Sequence, residues 1–279
     1  MIEADSKAFL FAGGLTGFGE TRLAENLVIR DVCCTADPIT LMGKTRSQRE
    51  YGLLCSLQDQ LTFEVEIAGR EQGDAAIIGW NFQWALCFLS IITDSYVIWP
   101  FGGSCSLADV ECPDFYLTNS FLFPSALSEP RVVAEEDLRY FKENLDSFQN
   151  LVGNNAFSTA VSIAAVHSHT PQSSIAMATI WSGIEGILGF DHELRFRISL
   201  ALSHVLEDSP EERVNSMKKF AKLYDCRSKS VHGARTPKNL AESVEQSAEI
   251  LRKLILKVVE RKEAFSREYW DRVFVGEMK

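Results

Sequence analysis

The stretch "YDCRSKSVHGAR", residues 224–235, sets Arg227 and His232 five positions apart at the end of a strongly patterned helix. A guanidinium is a planar, permanently charged fork that matches a phosphate, and an imidazole titrates near neutrality. Together they suit proton transfer on a phosphate ester. Phe220, Leu223 and Val231 are expected on the same helix side as Arg227, which would bring the guanidinium out beside apolar packing. His232 precedes Gly233, an expected helix C-cap, where the helix dipole favours a protonated imidazole. In a straight helix, residues i and i+5 lie about 140° apart. Gripping one phosphate therefore requires unwinding at His232, or a second copy of the chain bringing its own pair across a two-fold axis.

The same region is basic. From Arg213 to Lys238 the chain holds Arg213, Lys218, Lys219, Lys222, Arg227, Lys229, Arg235 and Lys238 against a single acid, Asp225. The whole chain carries a net charge of −10, so its average surface repels nucleic acid and anionic membranes. A polyanion would be tolerated on this run; a solvated basic helix face is the plainer reading.

Other candidates are weaker. Glu185 lies in "IWSGIEGIL", where a carboxylate among apolar residues must find a partner or hold its proton. His167 and His169 in "VHSHT" are two residues apart, point to nearly opposite sides of a helix, and read as a helix end rather than a metal site. "LMGKTR" resembles the end of a P-loop, but Pro38 stands where the first glycine belongs. "AGGLTGFGE", residues 12–20, is glycine-rich without the helix start that would aim amides at a pyrophosphate.

The elements that must position these residues fall into two textures. Up to about residue 130 the chain reads as mixed structure. "LTFEVEI" (61–67) alternates apolar and polar residues as a half-buried strand does. "ENLVIRDV" and "SYVIWPF" are further expected strands, the second stopped by Pro100. "AAIIGWNFQWALCFLSIIT" (75–93) carries no formal charge, yet Asn81, Gln83, Ser90 and Gly79 interrupt it, and it reads as a core helix rather than a membrane span.

Beyond Pro130 everything reads helical. Leu138, Phe141, Leu145, Phe148 and Val152 form one apolar stripe, ended by Gly153. Further helices are expected over 156–170, over 173–189 with Ser173 or Ser174 as cap and Gly189 as stop, and from Glu193. Two more follow, one from Ser209 as cap with Pro210 in the first turn, the last from Leu240 to about Phe265. The expected fold class is an α+β domain over 1–130, an all-α bundle over 134–265, and a C-terminal tail over 266–279. The seven cysteines form no C-x-x-C pair and read as reduced thiols, and the N-terminus lacks a signal-peptide pattern, so a cytoplasmic location is expected.

Arg227-Ser-Lys-Ser-Val-His232 matches the R-x4-6-H signature of HEPN domains, and "KLYDCRSKSVHG" resembles the Apea-like HEPN branch. "IWSGIEGILG" is similar to that branch's W-x-x-x-E-x-x-L helix, here Trp181 and Glu185, and "LRFRISLALSHVL" resembles the Arg-containing helix between them. The resemblance covers roughly residues 134–265. It implies a HEPN-type helical bundle that acts as a metal-independent endoribonuclease without a cofactor, frequently a homodimer, often in prokaryotic immunity or stress responses. Carried over, His232 would be the general acid/base and Arg227 would bind the scissile phosphate. Glu185, Tyr224 and Ser228 would support them, and Lys222, Lys229 and Arg235 would hold RNA. Ser228 stands where active HEPN nucleases often carry Asn, Asp or His, and the Apea-like branch commonly has Ser there. DNA, lacking the 2′-OH, should resist, and no membrane partner is expected. The alternative is a non-catalytic HEPN module for dimerisation, RNA binding or regulation. In the nuclease reading the first 130 residues would sense a trigger or position the substrate.

Overall fold

A computed structural model describes residues 7–34, 37–69, 74–109, 115–117, 129–231 and 239–277. Its contacts divide the chain into two compact units at Glu143/Asn144. The first contains β1 (Lys7–Gly13), β2 (Leu15–Thr16), β3 (Glu20–Ala24), β4 (Leu27–Asp31), α1 (Pro38–Met42), α2 (Gln48–Leu57), β5 (Leu61–Ala68), α3 (Asp74–Thr93), β6 (Ile98–Gly103), β7 (Phe115–Leu117) and β8 (Arg131–Val132). α4 (Glu135–Val152) carries the chain into the second.

Six strands form one antiparallel sheet in the order β3-β4-β5-β1-β6-β7, while β2 and β8 pair in parallel beside it. β1 is central and every residue after Lys7 is buried. Its sequence, KAFLFAG, shows no polar alternation because both faces are covered. The register Phe9↔Glu66 and Phe11↔Glu64 sets those residues on one face, and Leu10↔Val65↔Ile29 on the other. Phe9, Phe11 and Phe101 share one core with Leu41 of α1 and Leu54 and Leu57 of α2. α3 packs on the opposite face against β1 and β5.

The expected strands correspond to β5, β4 and β6, with two corrections. β6 runs through Pro100 instead of stopping there. The β1–β6 register shifts between Phe11 and Gly13, so Pro100 falls at an irregularity of the ladder, where its missing N–H is tolerated. The polar face of β5 is not fully solvated either. Glu64 is fully buried and accepts hydrogen bonds from Ser106 Oγ and the Leu107 amide, both at 2.8 Å. The 75–93 segment lies within the 20-residue α3, a helix as read from the sequence, with Leu86, Phe88 and Leu89 fully buried. Among the described residues no helix is long and apolar enough to cross a membrane.

The second unit is helical: the rest of α4, then α5 (Asn155–Val166), α6 (Ser173–Leu188), α7 (Leu194–Leu206), α8 (Pro210–Val231), α9 (Leu240–Arg261) and α10 (Arg267–Phe274). Asn154 caps α5 through its side chain. Ser209 and Glu212 form a reciprocal capping box at the start of α8, Ser209 Oγ accepting from the Glu212 amide and Glu212 accepting from the Ser209 amide, both at 3.2 Å. α6 ends on Gly189 in the left-handed conformation, but its N-cap is Gln172, without a side-chain hydrogen bond, rather than Ser173 or Ser174.

The expected C-terminal tail instead contains α10. The indole Nε1 of Trp270 donates to the Leu188 carbonyl at 2.9 Å, and Phe190, Phe265 and Phe274 gather on the buried ring with centroids 5.4, 4.8 and 5.9 Å away. The reading of seven reduced thiols is also corrected: Cys105 is disulfide-bonded, while Cys33, Cys34, Cys55, Cys87 and Cys226 form no disulfide.

Candidate functional site

The apolar stripe of α6 places Trp181 wholly inside the second unit, where its indole nitrogen needs a partner. Nε1 donates to Ser247 Oγ on α9 at 3.0 Å, and Ser247 in turn donates to the Ser243 carbonyl at 2.7 Å. The Trp181 ring meets Tyr224 of α8 edge to face, 5.3 Å between centroids at 87°. These contacts tie α6 to α9 and to α8, one turn below the polar pair.

One turn further along both helices, Glu185 meets Arg227. The guanidinium NH2 lies 3.3 Å from Oε1 and 3.4 Å from Oε2, with side-chain exposures of 22% for Arg227 and 20% for Glu185. The Arg227 Cζ sits 5.7 Å from the Tyr224 ring centroid, within cation–π range. Burial, then the charge of Glu185, raises the Tyr224 pKa against the opposing charge of Arg227. Glu185 thus takes the first of the two courses open to it, pairing with an arginine that also lies over a tyrosine ring.

The cluster keeps unused capacity. Arg227 Nε is buried without a hydrogen-bond partner among the described residues, and so is Glu185 Oε1 despite its closeness to the guanidinium. An arginine has five N–H donors, so this one can remain on its carboxylate and still offer hydrogens to an anionic oxygen.

Of the remaining predicted site residues, Ser228 is half-buried next to Arg227, and Lys222 and Lys229 are exposed on α8. His232 and Arg235 lie outside the described residues. Phe220 and Leu223 are buried as expected, but Val231 is exposed, so the apolar side of α8 ends before its last turn.

A residue the sequence reading did not single out is Arg195 at the start of α7. Its Nε and NH2 bind both oxygens of Asp225 at 2.7 and 2.9 Å. This bidentate pair lowers the Asp225 pKa and raises that of Arg195. The one acid of the basic run is therefore neutralised from the neighbouring helix. The signal was present only as a lone acid needing a counter-charge; which arginine supplied it depended on how α7 packs.

The decoys have local explanations. Gly43 closes α1 at its C-terminus, the wrong end for a phosphate. In the 12–20 stretch the amides of Gly17, Phe18 and Gly19 do converge on an anion, but it is the chain's own Asp31 carboxylate, at 2.9, 3.2 and 2.8 Å. Gly17 and Gly19 take the positive φ values of 91° and 58° that this turn requires. His167 and His169 lie in a 3₁₀ turn after α5, with His167 Nδ1 2.8 Å from the Ala164 carbonyl. No group of three or more metal-ligating side chains occurs among the described residues. Compared with known families, curated proteins and solved structures, the chain matches none.

Proposed function

We propose that the helical unit is a HEPN-type domain that cleaves RNA without a metal, and that the chain works as a cytoplasmic homodimer in phage defence or a stress response. The observation that carries the reading is Arg227: a partly exposed guanidinium, oriented by Glu185 and Tyr224 and left with an Nε–H that has no partner among the described residues, five residues before His232.

In this reading the RNA 2′-oxygen attacks the adjacent phosphorus while His232 accepts the 2′ proton. The bond from phosphorus to the 5′-oxygen breaks, and the imidazolium returns a proton to the leaving oxygen. The products are a 2′,3′-cyclic phosphate and a 5′-OH. Arg227 stays on Glu185 through NH2 and offers its remaining N–H groups to the phosphoryl oxygens as their charge grows. Tyr224 and Ser228 flank the guanidinium, Lys222, Lys229 and Arg235 hold the RNA backbone, and DNA, without a 2′-OH, is not cut.

A second reading is a non-catalytic HEPN module, and one observation favours it: the guanidinium is already ion-paired, as in a purely structural bridge between α6 and α8. The test is incubation of labelled RNA in EDTA with wild type, Arg227→Ala and His232→Ala, with circular dichroism to confirm folding. Cyclic-phosphate ends from the wild type alone are expected. Cleavage that persists in both variants or requires a metal refutes the nuclease; no cleavage by any of the three supports the binding module.

A further inference from the structure

The outer face of α8 is built for an anion that no part of the cluster above provides. Lys218, Lys222, Asp225 and Lys229 follow one another at spacings of four, three and four residues, which places them on a single stripe. Phe220, Leu223 and Tyr224 are buried on the opposite side of the helix. Lys218, Lys222 and Lys229 are exposed, as is Lys219 beside them. Asp225, the only acid in the stripe, is held by both ends of the Arg195 guanidinium, so it subtracts little from the row. Arg195 itself, spent on Asp225, adds no net charge to the row but keeps 56% of its side chain exposed at the start of α7.

From Lys218 to Lys229 the stripe runs about 17 Å along the helix. Along the helix Lys222 lies about 6 Å from Lys218, and Lys229 about 10 Å beyond Lys222. Next to Arg195 in sequence is Phe196, 56% exposed. An exposed aromatic ring together with a cationic row is the combination that single-stranded nucleic acid uses, with phosphates on the cations and a base on the ring. A duplex fits poorly. Its bases are already stacked, its recognition needs a broad cationic surface over two grooves, and this row is narrow on a chain of net charge −10.

We infer that the outer face of α8, with Arg195 and Phe196 of α7, is a docking track for single-stranded RNA. It lies on the side of α8 away from Arg227 and follows that helix toward the end from which His232 continues. The inference rests on the proposed ribonuclease reading for its substrate, but it concerns binding, not the chemical step.

The test uses the full chain carrying Arg227→Ala, a short fluorescein-labelled single-stranded RNA, the same sequence as a blunt duplex, and phosphatidylglycerol vesicles, with anisotropy or co-sedimentation read over a salt series. Single-stranded RNA is expected to bind best. Replacing Lys218, Lys222 and Lys229 together by Gln should lower the slope of log affinity against log salt by about 2, at about 0.7 per phosphate contact. Phe196→Ala should weaken binding about tenfold without changing that slope. In the Arg227-intact chain, the three Gln substitutions should raise KM and leave kcat nearly unchanged. Equal or tighter binding of the duplex, preference for the vesicles, or an unchanged slope in the triple variant overturns the track. Failure of the nuclease reading is seen separately, as no cleavage by the Arg227-intact chain while the single strand still binds.

Discussion

If Glu185 orients Arg227, the two must be energetically coupled, and the coupling can be sized from the geometry. The guanidinium nitrogen lies 3.3 Å from the carboxylate and both side chains are about four-fifths covered, with exposures of 20% and 22%. At an effective dielectric near 20, two charges about 4 Å apart attract by about 4 kcal/mol. Most of that is offset by taking two ions partly out of water. Exposed pairs give about 0 to 1 kcal/mol, and breaking a buried pair costs about 3 to 5. A pair between those limits should show a coupling of about 1 to 2 kcal/mol.

The measurement is a double-mutant cycle of Glu185→Gln, Arg227→Gln and the double variant, followed by urea unfolding of the helical signal. Each single variant should be destabilised by about 1 to 2 kcal/mol because it strands one charge, and the double variant should lose clearly less than the sum. Most of the coupling should survive high salt, since a partly buried pair is screened less than a surface one. A coupling below about 0.3 kcal/mol would refute the reasoning. It would mean the two groups are neighbours without holding each other, and the case for an oriented guanidinium would fall with it.

Two further outcomes follow from other parts of the molecule. Trp270→Ala should destabilise the helical unit by about 3 to 5 kcal/mol in the same urea assay, since it empties an aromatic cluster and frees the Leu188 carbonyl; a loss under 1 kcal/mol would mean α10 is dispensable. In the first unit, burial works to raise the Glu66 pKa, but Lys7 and Arg30 together outweigh it and hold the carboxyl below its usual 4.5. With the folded value depressed, the unfolded chain binds the proton more readily. The resulting stability is therefore complete above the usual value and is lost as pH falls through the folded one. Glu66→Gln should accordingly be less stable than wild type at pH 7 and converge with it in acid, and a pH-independent gap in urea titrations would contradict this.

The helical half was legible from the sequence because each helix buries one stripe against its neighbours, and a stripe repeats every three to four residues whatever it packs on. Phe141, Leu145 and Phe148 of α4, the Ser209 start of α8 and the Gly189 stop of α6 were all readable in that way. α10 was not, because a short segment with charged residues between its aromatics shows its apolar side only once Trp270 has found Leu188. In the first unit β5 announced itself by alternation. β1, covered by α2 on one side and α3 on the other, carries no period for a reader to find.

The same division runs through the candidate site. Arg227, His232, Glu185 and the lysines of α8 are determined by the sequence, as is the requirement that Glu185, set among apolar residues, have a partner. Which partner it has is a tertiary matter. Residues 185 and 227 are separated by α7 and most of α8, and only the packing of α6 on α8, keyed by Trp181 on Tyr224, brings them to 3.3 Å. Likewise, one acid in a basic run is a sequence fact, whereas its silencing by Arg195 needs the α7–α8 hairpin to close. Local periodicity is written in consecutive residues; the pairing of charges across helices is decided by which faces the core draws together.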